Sequence, residues 1–86
     1  MKTFKDLEFK EHGLFNGIHA RMHFENGYGV SVVKFPGSYG YDQDLWEVAI
    51  LYKHSITYDT DITDDVLGYQ TEQDVTNVMD KVQKLI

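Results

Sequence analysis

The chain has 86 residues, no cysteine, 42% hydrophobic residues and a formal net charge of −6. That length suits one domain, which buries roughly 60–65% of its unfolded surface on folding, and the missing thiols exclude disulfides and cysteine-held metals. No run of about 18 apolar residues occurs, and Met1-Lys2-Thr3-Phe4-Lys5-Asp6 does not open an apolar signal region, so a cytoplasmic protein with no membrane span is expected.

Leu7 and Phe9 stand two apart between charged residues and predict a short first strand around Leu7–Lys10. His12 to Gly17 supplies two glycines and an asparagine and reads as a connection. Gly17–Phe35 then reads as a β-hairpin about the two-residue turn Asn26-Gly27. A type I′ turn needs positive φ twice, and this pair accepts it at least cost. With Glu25 and Tyr28 flanking that turn, Phe24 faces Gly29, Met22 faces Ser31 and Ala20 faces Val33. One face would then be the core, with Ile18, Ala20, Met22, Phe24, Val33 and Phe35 on it. The other would carry His19, Arg21 and His23 together with two part-exposed valines, Val30 and Val32.

Pro36 to Asp44 holds a proline, two glycines and two tyrosines and reads as a loop. Leu45–Lys53 is rich in β-branched and aromatic residues and almost continuously apolar, which suits a central strand covered on both faces. His54-Ser55 can turn the chain into Ile56–Asp59, an acidic connection runs from Asp59 to Asp65, and Val66-Leu67-Gly68-Tyr69 follows as a brief apolar piece with a glycine suited to the left-handed region. Thr71 precedes Glu72, Gln73 and Asp74, placing a cap hydroxyl and carboxylates where free N–H groups start a helix. Val75, Val78, Met79, Val82 and Leu85 or Ile86 then recur at three- and four-residue spacing. This stripe needs a sheet to lie on, and the sheet needs a cover. The expected fold is α+β: four or five antiparallel strands in meander order with one C-terminal helix across one face.

Chemical equipment is sparse. His19 and His23 have the spacing of a helical metal pair, but on a strand that spacing separates them by roughly 13 Å, so they cannot share an ion. The Asp59–Asp65 run has Asp64 where a calcium-binding EF-hand loop needs glycine and Gln70 where it needs glutamate. Ser31, Ser38 and Ser55 sit in no nucleophile context, and no phosphate loop is present. Glu47, on the apolar central strand, is the one carboxylate that burial could perturb, but it is expected instead to lie at an edge of the sheet's solvent side or to pair with Lys34 or Arg21 across strands. No catalytic residue, metal or cofactor is expected. Tyr39 and Tyr41, with Trp46 just after, are instead contact residues of the kind that bury much area at low entropic cost.

Charge is uneven along the chain. Residues 42–80 hold one Lys or Arg against ten Asp and Glu, while residues 1–41 hold five against four. Direct capture of nucleic acid is therefore not expected. Asp42, Asp44, Asp59, Asp61, Asp64 and Asp65 form an acidic surface that is either a solvated face or an imitation of DNA phosphates.

Five blocks carry a resemblance: Phe24-Glu25-Asn26-Gly27-Tyr28-Gly29-Val30-Ser31 with Val33, Gly37-Ser38-Tyr39-Gly40, Glu47-Val48-Ala49-Ile50-Leu51, Thr57-Tyr58-Asp59-Thr60, and Ile62-Thr63-Asp64-Asp65-Val66-Leu67-Gly68-Tyr69. From Phe24 onward the chain resembles a group of short tailed-bacteriophage proteins with no assigned activity. Asp61 stands where that group has a proline. The resemblance implies expression inside an infected bacterium and transfers no catalytic residue. The expected function is a noncatalytic phage accessory module that binds a host or phage protein, as an inhibitor of a host enzyme or defence system, through Tyr39, Tyr41, Trp46, Arg21, Val30 and Val32. A DNA mimic acting through the carboxylates is the alternative, with a small enzyme a distant third. An exposed sheet edge would allow a homodimer.

Overall fold

The computed structural model describes residues 1–12, 16–63 and 65–85, with the His12 side chain excepted. Among the described residues six strands, β1 (Lys10–His12), β2 (Gly17–His23), β3 (Tyr28–Lys34), β4 (Trp46–Tyr52), β5 (Ser55–Ile56) and β6 (Leu67–Gln70), precede one helix, α1 (Glu72–Gln83). They form a single antiparallel sheet in the order β1-β2-β3-β4-β5, with β6 also paired to β4. The α+β architecture is as expected, and the meander holds from β1 to β5, while β6 is a further strand that returns to β4. β4 is central because β3 takes one of its edges and β5 and β6 divide the other, β5 beside Leu51 and Tyr52 and β6 beside Trp46 and Val48.

The helix follows its sequence signals closely. Thr71 Oγ1 accepts from Asp74 N at 3.0 Å while Asp74 Oδ2 accepts from Thr71 N at 3.0 Å, a reciprocal cap that satisfies donors left free at the first turn. Val75, Val78, Met79 and Val82 are buried. They pack with Ala20, Val30, Val32, Val48 and Ile50 in one core cluster, which the helix covers from β3 to β6. Leu85 packs at its border; Ile86 lies outside the described residues.

The hairpin register differs from the expected one by one residue. Phe24 N donates to Tyr28 O at 2.7 Å and Gly27 N to Phe24 O at 3.2 Å, so the loop has three residues, Glu25-Asn26-Gly27, and Gly27 alone takes a positive φ, of 89°. This is a type I turn closed by a glycine bulge rather than a type I′ turn. His23 therefore faces Gly29, Met22 faces Val30 and Ala20 faces Val32. A slip of one residue exchanges the two faces of a strand. Val30 and Val32 lie in the core at 0% exposure, where the sequence reading placed Val33.

Asn26 decides the loop. Its Nδ2 donates to Val82 O and to Leu85 O, both at 2.9 Å, and its Oδ1 accepts from Tyr28 N at 3.0 Å. The side chain thus satisfies Leu85 O at the end of α1, gives Val82 O a second donor beside Leu85 N, and ties the hairpin to the helix.

The N-terminal segment is not the expected strand over Leu7–Lys10. Phe4–Asp6 forms a single 3-10 turn, Leu7 is buried, and pairing begins only at Lys10. Phe4 and Phe9 turn toward Trp46, with ring centroids 5.4 and 4.6 Å from it, because this side of the core needs a cover. Phe4 N donates to Thr76 Oγ1 at 3.1 Å and fixes the segment to the helix.

Candidate functional site

β3 ends at Lys34, and the next ten residues fold into a hydrogen-bonded platform at one end of the sheet. Ser38 is buried: its Oγ donates to Phe35 O at 2.8 Å and accepts from Phe35 N at 3.1 Å, closing the turn around Pro36 and Gly37. A second turn, Tyr41–Gln43, follows, and Leu45 N and Gln43 N both donate to Gly40 O at 3.0 Å. The loop is therefore shaped before any partner arrives.

Tyr39 binds this platform to the sheet through its backbone. Glu47 Oε1 accepts from Tyr39 N at 3.0 Å, and Tyr39 O accepts from Tyr69 N at 3.3 Å. Glu47 is not the cross-strand partner of Lys34; Lys34 Nζ instead meets Asp44 Oδ1 at 2.7 Å and lies 4.1 Å from the Trp46 ring centroid. Lys34 and Trp46 share the face of the core, whereas Glu47 points to the opposite face, so the sheet itself separates them.

β6 brings in a third tyrosine. Its pairing shifts between Trp46↔Gln70 and Val48↔Leu67, so Gly68 and Tyr69 oppose the single residue Glu47, a β-bulge. The left-handed residue in this piece is Tyr69, at φ 56°, and not Gly68 as expected. Gly68 is needed for another reason: a Cβ there would stand 2.4 Å from Tyr39 Cβ. Bulky side chains rarely adopt a positive φ, and such strain clusters at functional sites. Here it belongs to an exposed tyrosine.

Tyr39, Tyr41 and Tyr69 are 60%, 38% and 55% exposed. With Asp42 and Gln43 they line a concavity of about 250 Å³. Of the contact residues expected from sequence, the structure thus brings Tyr39 and Tyr41 together and adds Tyr69, whose only signal was a tyrosine beside a glycine far along the chain. Trp46 is not available: it is 7% exposed and closes the core with Phe4 and Phe9. Val30 and Val32 are likewise removed from the contact face by their burial. Arg21 is exposed, opposite Ser31 on the other face of the sheet from the helix.

A larger depression, of about 730 Å³, adjoins the N-terminal turn and is bordered by Lys2, Asp6, His23, Glu25 and Asn26 among others. Charges of both signs line it without converging on a point, so size alone does not make it the better candidate. Asp42, Asp44, Asp59, Asp61 and Asp65 are exposed, and Asp64 lies outside the described residues. Several have local duties: Asp44 pairs with Lys34, and Asp65 Oδ1 accepts from Val66 N at 2.8 Å. Among the described residues, no three His, Cys, Asp or Glu side chains gather as a metal site, and no helix is long and apolar enough to cross a membrane.

His23 has a partner that the sequence did not indicate. Across the β2–β3 and β4–β5 turns, His54 Nδ1 lies 3.2 Å from His23 Nε2, with ring centroids 4.2 Å apart. The pKa of His23 is held below the ordinary histidine value by loss of hydration, then by the His54 imidazole and the Arg21 guanidinium.

No family model, curated protein or solved structure matches this chain.

Proposed function

We propose that this chain is a noncatalytic protein-binding module of bacteriophage origin, working in the bacterial cytoplasm as an inhibitor or accessory that engages a host protein through Tyr39, Tyr41 and Tyr69. The observation that carries this reading is the convergence of three exposed tyrosines from two distant segments on one concavity, one of them at a left-handed backbone angle. Tyrosine is favoured at such contacts because a stiff ring buries a large area while its hydroxyl keeps a hydrogen bond. The hydrogen-bonded platform beneath the rings lowers the ordering cost of binding. Tyr52 and Tyr58 are also exposed, but neither borders this concavity.

The test is capture from a bacterial host lysate by the full chain at rising salt, with the captured protein identified and its affinity measured. A partner held by aromatic contact stays bound at high salt, and Tyr39→Ala with Tyr69→Ala weakens it by about 100-fold or more. Release at modest salt, with affinity lost on Asp59→Asn, Asp61→Asn and Asp65→Asn, would transfer the function to the carboxylates and support phosphate imitation. An affinity that ignores the tyrosines would reject the site.

A further inference from the structure

We infer that His23 and His54 form a two-imidazole site for a divalent transition-metal ion of the zinc or nickel class. Two nitrogens bound to one ion at about 2.1 Å stand about 3.0 Å apart at a right angle and about 3.4 Å apart at the tetrahedral angle. The 3.2 Å separation of His54 Nδ1 and His23 Nε2 falls between these values. In the metal-free chain the two nitrogens share a hydrogen bond, so the ion replaces the proton between them, and the exposed rings, with centroids 4.2 Å apart, swing outward for both lone pairs to meet it.

The backbone supports the pair from two sides. His23 ends β2 beside the Glu25-Asn26-Gly27 loop, which Asn26 fastens to α1. His54 sits in a turn fastened to the same loop, since Lys53 N donates to Gly27 O at 2.9 Å. That turn holds Lys53 at φ 50° and His54 at φ 73°. Glycine or asparagine would close it with less strain, which here is offset by the Lys53 N bond to Gly27 O and by the ring contact.

Charge around the pair is mixed. Arg21 opposes a cation, whereas Asp6 and Glu25 border the same depression as His23 and favour one. Among the described residues no third protein ligand joins, so water completes the coordination sphere. The site is therefore exchangeable rather than structural, in contrast to closed four-ligand zinc sites.

Titration of the untagged full chain with zinc chloride and nickel chloride tests this, read by calorimetry and by the imidazole nitrogen resonances. One ion binds per chain and the His23 and His54 rings respond together. His54→Asn, which tolerates the left-handed backbone, and His23→Gln each weaken binding more than about tenfold, while His19→Gln leaves it unchanged. Response of one ring alone, no saturable binding, or affinity indifferent to either substitution would overturn the site. The ring resonances of the unaltered chain decide the matter even if a variant fails to fold.

Discussion

Two tight turns lie side by side at one end of the sheet, and they obey opposite rules. The β2–β3 loop contains Asn26-Gly27, the pair best suited to two positive φ values, yet only Gly27 uses one. The β4–β5 turn contains Lys53-His54, neither of them glycine, and both residues take positive φ, as a type I′ turn requires. Tertiary contacts explain the exchange. Asn26 is occupied by Val82 O, Leu85 O and Tyr28 N, three bonds that hold its loop at three residues. Lys53 and His54 are held by Gly27 O and by His23. Local propensity differs between turn types by about 1 kcal/mol per residue, and two or three hydrogen bonds outweigh it.

The register that follows from this difference has the largest measurable consequence. Val32→Asp places an unpaired carboxylate in a fully buried position and should cost more than about 3 kcal/mol, enough to unfold much of the population, while Val33→Asp should cost far less. Urea unfolding compares them directly. If Val33→Asp proves the more damaging, the hairpin closes with a two-residue turn and the faces are reversed.

Asn26→Ala should come next, at about 2–4 kcal/mol, since it removes three hydrogen bonds and strands Leu85 O, while Val82 O keeps its bond from Leu85 N. Gly27→Ala, which only forces a Cβ to positive φ, should cost about 1 kcal/mol. A larger loss at Gly27 than at Asn26 would return control of the loop to local backbone preference.

The second turn should respond in the opposite direction. Lys53→Gly relieves one left-handed residue and should raise stability by up to about 1 kcal/mol in thermal or urea unfolding. Tyr69→Gly applies the same relief at the bulge, and under the proposed function it should stabilise the fold while weakening partner binding by about tenfold. Retained affinity in that variant would separate the strain from the function.

The smallest effect concerns pH. Because His23 titrates below its unfolded value, the unfolded chain binds more protons in the interval between the two values. Stability therefore declines as pH falls from 6.5 toward the folded value of His23, and the loss is complete below it. His54→Asn removes one of the causes, so the His23 midpoint should rise part of the way toward 6.5, leaving the effect of lost hydration; nitrogen-resolved NMR titration reads the shift. An unmoved midpoint would deny the contact between the rings.

Much of the fold was legible in single residues. The helix could be read because Thr71 and Asp74 mark its start and the apolar stripe repeats at helical spacing, both local features. β4 could be read because a run apolar but for Glu47 needs cover on both faces. β6 could not: a four-residue strand with a bulge has little period of its own, and it exists because the β4 edge beyond β5 is open to pairing. The candidate site divided in the same way. Tyr39 and Tyr41 stood out beside glycines, whereas Trp46, equally prominent, is consumed by the core.

By itself the sequence determined which segments are apolar and at what period, where the helix begins, and that one sheet must meet one helix. Those properties reside in consecutive residues and in the alternation of a strand or the turn of a helix. Only the tertiary structure decided which face of the hairpin is inside, that Tyr69 joins the loop tyrosines, and that His23 meets His54. Each of these depends on a contact between residues far apart in the chain, where one hydrogen-bonding side chain, Asn26, moves the register by one residue and exchanges the two faces.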